Sequence, residues 1–220
     1  MGPYSHYVLA AKLAPVLQPR DPAAYAWGSI IPDIRYLARM RRDHTHLKQE
    51  RLKALTSCYP HLASFLLGYQ VHCLIDEIDV SEVVGAAFPL NVLKRALRRN
   101  FSQQQVTMLV EMYFLQSSAT DGILAGSHNA VLSDLGILPD QTDTFFQARQ
   151  AYFRSRSFDV AVATFQKIGM IENGRLEKYL NAYEALKRSR LMKAVLLASV
   201  KNARLEEHAI NYVLSSIYVR

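Results

Sequence analysis

Phe65-Leu66-Leu67-Gly68-Tyr69-Gln70-Val71-His72-Cys73-Leu74-Ile75-Asp76 is the stretch on which the reading of this chain turns. It is almost entirely apolar and contains no proline, which predicts a helix running through a hydrophobic core. His72 and Asp76 stand four residues apart, so they project from one helical face about one turn apart. A carboxylate leaving a core helix needs compensation, because an unpaired buried charge is costly. A divalent metal held by both side chains would supply it. An isolated pair of this kind is also what a buried His and Asp look like when they are bonded to each other or to backbone.

Outward from this stretch, apolar residues recur at three-to-four spacing through most of the 220 residues, and strand-like alternation is scarce. The pattern predicts an all-α, multi-helix single domain over 1–220, with the candidate metal motifs within 6–76. Helices are expected near 5–18, 22–31, 47–57, 60–78, 89–99, 102–116, 118–133, 140–153, 157–170, 175–200 and 203–217. Pro19 and Pro22 restrict the chain between the first two, and Pro32 is expected to end the second. Asn100-Phe101-Ser102 supplies a cap, and Asn173-Gly174 offers a left-handed stop. The segment Arg35 to His46 reads as an ordered loop that returns His46 toward Asp33.

No run approaches the roughly 20 apolar residues of a membrane span. Met1-Gly2-Pro3-Tyr4-Ser5-His6 lacks the order of a signal peptide, so a cytoplasmic protein is expected. Cys58 and Cys73 form no Cys-x-x-Cys pair and are expected to be buried thiols. The formal charge of +7 comes in short clusters, Arg39 with Arg41 and Arg42, then Lys94 to Arg99, then Lys187 to Lys193. Such a field favours anionic partners, although solvated helix faces produce the same pattern. The aromatic residues Phe88, Tyr113, Phe114, Phe145, Phe146, Tyr152 and Phe153 fall at helical spacing and read as core.

Two further motifs share the N-terminal third with His72 and Asp76. In Trp27-Gly28-Ser29-Ile30-Ile31-Pro32-Asp33 an acidic residue follows proline beside an apolar helix, as a ligand or as a helix N-cap. In Asp43-His44-Thr45-His46 the two imidazoles point in opposite directions if the chain is extended, and His46 is the candidate ligand. Two Asp and two His make a mixed oxygen and nitrogen set suited to Zn²⁺, with Mn²⁺ and Fe²⁺ compatible by ligand type.

Ser5-His6 opening a helix, Gly28-x-Ile30-Ile31-Pro32-Asp33, Thr45-His46-Leu47 and Gly68-Tyr69-x-Val71-His72-x-x-x-Asp76 together resemble the zinc-dependent phospholipase C family, over roughly the first 85 residues. That family is related to the single-strand-specific zinc nucleases, and the resemblance implies an all-helical fold with zinc in a phosphodiester-cleaving cleft. It implies that Asp33, His46, His72 and Asp76 hold one zinc, that Asp33 also activates the attacking water, and that His6 serves a second zinc with Asp76 as bridge. One or two ions are therefore expected. The family adds a His just after the His-x-x-x-Asp motif, where this chain reads Glu77 to Glu82, and a later His-x-x-x-Glu pair that this sequence lacks. Glu82, and Asp121 with His128, are the candidate substitutes, whereas His61 and His208 are expected outside the site.

The resulting expectation is a metal-dependent phosphoester hydrolase with Asp33 as the catalytic residue. Arg35, Arg39 and Arg42 are the candidates to bind the substrate phosphate. An anionic phosphoester, including a phospholipid at a membrane surface, is the expected partner. Two other classes fit the same residues: a protein with a structural or remnant zinc site, and a nucleic-acid binder, for which no recognised motif is present.

Overall fold

The computed structural model describes residues 1–86, 103–117, 129–155, 157–167 and 200–218, with single positions at 184, 194, 197 and 198. Its helices are α1 (Pro3–Leu17), α2 (Pro22–Gly28), α3 (Arg42–Thr45), α4 (Gln49–Cys58), α5 (Ala63–Ile75), α6 (Val80–Ala86), α7 (Gln103–Ser117), α8 (Asn129–Asp134), α9 (Pro139–Ser155), α10 (Phe158–Lys167) and α11 (Leu205–Tyr218). Two 3₁₀ turns, Ile31–Tyr36 and Pro60–Leu62, complete the set. The described residues hold no strand, and none of their helices is long and apolar enough to cross a membrane. The fold is all-α.

The helix starts follow from local chemistry. Pro3, Pro22 and Pro139 open α1, α2 and α9, where a missing backbone N–H costs nothing. The Asp21 carboxylate accepts the Ala24 N–H at 2.9 Å and caps α2. Gly2, the N-cap of α1, has no side chain to offer. Its place is taken from another helix by Glu111 of α7, whose carboxylate accepts the N–H groups of Tyr4 (2.8 Å) and Ser5 (2.9 Å) and the Ser5 hydroxyl (2.6 Å).

Helix α5 is the central post, with α1, α2, α4 and α11 packed around it. Phe65, Leu66, Tyr69, Val71 and Ile75 are buried along it, as the apolar run demands. The α2–α5 crossing is closed by two glycines. A Cβ on Gly68 would lie 2.0 Å from the Tyr25 carbonyl oxygen, and one on Gly28 would lie 2.0 Å from the Phe65 carbonyl oxygen. Backbone therefore meets backbone at this crossing. Phe114, Phe145, Tyr152 and Phe153 are buried, and Tyr113 and Phe146 pack against the core.

Several expectations need correcting. Pro32 does not end a helix: α2 stops at Gly28, and Pro32 opens a 3₁₀ turn in which Asp33 lies one turn past its N-cap, Ile30. Asp33 is therefore no cap. The segment from Arg35 to His46 is not a plain loop, since it contains the end of that turn and the whole of α3. His44 lies inside α3 and His46 is its C-cap at φ −92° and ψ 79°, so the two do not form one extended run. His44 is exposed and His46 half-buried. Cys58 is exposed at the end of α4 instead of buried, because the helix there turns that face to water. The expected helices near 89–99 and 175–200, most of 118–133, Phe88, Asp121, His128, the Asn100 and Asn173 stops and the two later basic clusters lie outside the described residues, apart from the single positions named above.

Gly68→Ala is expected to lower stability by about 1 to 3 kcal/mol, through forced separation of α2 and α5. At about 2 to 4 °C per kcal/mol, thermal denaturation reads this as a fall of several degrees. An unshifted midpoint would contradict the close crossing. Burial pushes the Cys73 thiol up to about 12, so a maleimide reagent is expected to label Cys58 quickly and Cys73 only after denaturation.

Candidate metal centre

Four short segments bring His6, Asp33, His46, His72 and Asp76 together. Helix α5 delivers His72 from its last turn and Asp76 from its C-cap position, where the Asp76 N–H still bonds the His72 carbonyl at 3.0 Å. Helix α1 delivers His6, one residue beyond the backbone that Glu111 holds. The 3₁₀ turn after α2 delivers Asp33, and the residue after α3 is His46. Tyr69 of α5 donates its hydroxyl proton to the Thr45 carbonyl, which fixes the α3 segment against the central post.

The imidazoles of His6 and His72 are oriented by backbone. His72 Nδ1 donates to the Ser29 carbonyl at 2.8 Å, and His6 Nδ1 donates to the Gly2 carbonyl at 2.8 Å. A carbonyl only accepts, so the ring proton sits on Nδ1 and the lone pair of the neutral ring is on Nε2. Both Nε2 atoms are buried without a hydrogen-bond partner, and the two rings stack with centroids 4.0 Å apart. Burial first, and then the neighbouring His6, hold His72 well below its ordinary value, so its ring is neutral at neutral pH. A backbone-oriented neutral imidazole with a bare, buried Nε2 is the standard preparation of a histidine metal ligand.

Asp76 gathers the nitrogen donors. Its Oδ1 lies 3.1 Å from His6 Nε2 and 3.2 Å from the Met1 ammonium. Its Oδ2 accepts from His46 Nε2 at 2.9 Å, forms an ion pair with Arg42 Nη2 at 2.9 Å, and lies 3.9 Å from His72 Nε2. Burial works against this charge, yet the hydrogen bond from His46, the adjacent His6 ring and the Met1 ammonium hold the carboxyl well below the usual carboxylate range. His46 Nδ1 faces the Thr45 hydroxyl at 3.3 Å, so a change of tautomer would free its Nε2 for a metal.

Two groups of three ligand atoms have all members within 4.8 Å of one another: His6, His72 and Asp76, and Asp33, His46 and His72. These His and Asp groups can hold a metal ion, since side-chain closure to the edge of about 3.4 Å of a tetrahedral zinc site asks for modest rotation. His72 is common to both groups, and Asp76 reaches both sides through its two oxygens. Asp33 and Asp76 do not share a group, so the four ligands expected for one site are divided between two neighbouring positions.

Asp33 is buried, and its Oδ2 has no hydrogen-bond partner, with Arg149 Nη2 3.8 Å away. Arg149 of α9 is fully buried over the Phe145 ring, and burial lowers its pKa against the opposing pull of Asp33 and Glu111. Its role was not anticipated, although an arginine on the apolar stripe of Phe145, Tyr152 and Phe153 carried a signal. Glu111, an acid inside an apolar helix and bonded also by the Tyr152 hydroxyl at 2.7 Å, is a second omission. Tyr36 is a third: burial, then Asp33, push its phenol up to about 12.

The candidate phosphate-binding arginines separate. Arg42 lies on Asp76. Arg35 donates to the Tyr36 hydroxyl and its guanidinium lies 3.9 Å above the Tyr36 ring, which spends it on its neighbour. Arg39 is exposed in a left-handed turn at φ 53°. Glu82 is exposed on α6 and belongs to neither ligand group, and His61 and His208 are exposed away from both. No family model, no curated protein and no solved structure matches the chain, so what the site can do rests on its own geometry.

His72 stays neutral in the folded protein while an unfolded histidine takes a proton near pH 6.5. Its contribution to stability is present above that pH and is lost as the pH falls through and below it. Thermal midpoints of chelator-treated protein are expected to drop between pH 7 and pH 5, with a shallower slope in His72→Asn. Equal slopes would contradict the neutral ring.

Proposed function

We propose that this protein is a zinc-dependent phosphoester hydrolase similar to the zinc-dependent phospholipase C family. The observation that supports it best is the pair of buried, unpartnered Nε2 atoms of His6 and His72, aimed into a cluster that also holds His46, Asp33 and Asp76. Bare imidazole nitrogens beside carboxylates suit a cation between them. Three imidazoles with two carboxylates suit zinc better than calcium or magnesium, which prefer oxygen. One or two zinc ions fit the two ligand groups.

Zinc would supply Lewis acidity toward a phosphoryl oxygen and make water a nucleophile at neutral pH. The chain's own part is to place a base and to meet negative charge. Asp33, with Oδ2 unbonded, takes the proton of the attacking water. Arg149 behind Asp33 keeps a positive charge beside it, and Arg42 faces the solvent side of the cluster. An anionic phosphoester, with a phospholipid at a membrane surface as one form, is the substrate class, and the cytoplasm is the proposed location.

A second reading is a structural zinc site. Complete burial of His6 and His72 favours it, because a metal on these two rings would fasten α1 to α5.

Elemental analysis of the purified protein is expected to find one or two equivalents of zinc, with chelator-sensitive hydrolysis of a chromogenic phosphodiester. Asp33→Asn is expected to reduce turnover by about 100-fold or more while costing less metal, as removal of a general base does. Metal without turnover, with a midpoint that falls on chelation, would select the structural reading. No metal after zinc loading would remove both.

A further inference from the structure

Asp76 Oδ2 takes a hydrogen bond from a prospective metal ligand, His46, at 2.9 Å, and an ion pair at the same distance from a side chain that cannot ligate a metal, Arg42. A guanidinium has no lone pair to offer and stays charged at any ordinary pH. It therefore stands where a cation on Asp76 would stand. Arg42 compensates the buried carboxylate, and a metal that takes Asp76 has to compete with the arginine.

Arg42 is built to leave. Its side chain is 52 % exposed, whereas that of Asp76 is 11 % exposed. It begins the four-residue helix α3, next to Arg41, which is occupied by Asp43 at 2.9 and 3.1 Å. Arg149, by contrast, is fully buried and cannot turn to solvent. Once displaced, Arg42 is a planar, charged fork at the solvent side of a metal cluster, the geometry that suits a phosphate oxygen pair.

We propose that Arg42 occupies two positions, holding Asp76 before the metal arrives and passing to the anionic group of the substrate when the metal takes Asp76. This rests on the metal-site reading above and adds a coupling to it. Metal binding and anion binding reinforce each other, because an anion that draws Arg42 away removes the competitor for Asp76. Reciprocity is required of any such coupling.

The test is zinc affinity, measured on the full chain by competition with a chromophoric chelator at buffered free zinc, for wild type, Arg42→Gln and Arg42→Lys, with and without millimolar inorganic phosphate. Without phosphate, Arg42→Gln is expected to bind zinc about 10-fold more tightly than wild type, within the usual range of site-to-site coupling. Phosphate is expected to tighten zinc binding by wild type several-fold and by Arg42→Gln less than about 2-fold. Arg42→Lys should lie between them, since an ammonium holds Asp76 but lacks the fork. Circular dichroism checks that the variants are folded. Weaker or unchanged zinc binding in Arg42→Gln overturns the proposal and makes Arg42 a simple orienting residue. An equal effect of phosphate on wild type and Arg42→Gln overturns the handover. Absence of zinc binding in every form overturns the metal-site reading along with it, and is distinguished by that from failure of the Arg42 proposal alone.

Discussion

The negative charge of Asp76 is kept at the inner end of a core helix, and the surrounding structure is organised by what that requires. A carboxylate taken from water without partners would be protonated or would unfold the helix that carries it. Here nitrogen atoms gather about its two oxygens, His6 Nε2 of α1, Arg42 Nη2 of α3 and His46 Nε2 just after α3. Each contact ties a piece of chain distant in sequence to the end of α5. The N-terminal helix and the α3 segment are thus held by polar chemistry at one point and by apolar packing elsewhere.

Positioning at that point depends on backbone. The Ser29 carbonyl can reach His72 Nδ1 because the glycine-paired crossing lets α2 lie directly on α5. The Gly2 carbonyl can reach His6 because Glu111 caps the start of α1 from another helix. Both histidines are consequently set in one tautomer before any ligand arrives, which is what a high-affinity site needs, since rotamer and tautomer freedom are lost in advance. His46 differs, with its Nε2 on Asp76 and its Nδ1 near a hydroxyl that can donate or accept. It is the adaptable member of the set.

The distribution of positive charge around the cluster gives the site a direction. Arg149 closes the inner side, buried against Phe145 and behind Asp33. Arg42 borders the outer side, half in water. A ligand with negative charge would meet fixed charge inside and adjustable charge outside. Tyr36, its phenol kept neutral by burial and by Asp33, adds a hydroxyl to the same neighbourhood.

The amino-acid sequence alone determined that the chain is helical, that Phe65 to Asp76 forms a core helix, and that Asp33, His46, His72 and Asp76 are candidate metal ligands, with His6 added only by the family resemblance. Those properties follow from local periodicity and from ligand chemistry, and both are written in residue types and spacing. Tertiary structure alone decided that Asp33 and Asp76 serve different ligand groups, that Arg42 and not Arg35 or Arg39 reaches the cluster, that Arg149 of α9 lies behind Asp33, and that Glu111 of α7 caps the helix that carries His6. Those facts depend on which helices pack together. A one-residue change of helix rotation turns a side chain by about 100°, and no local pattern records which face meets which neighbour.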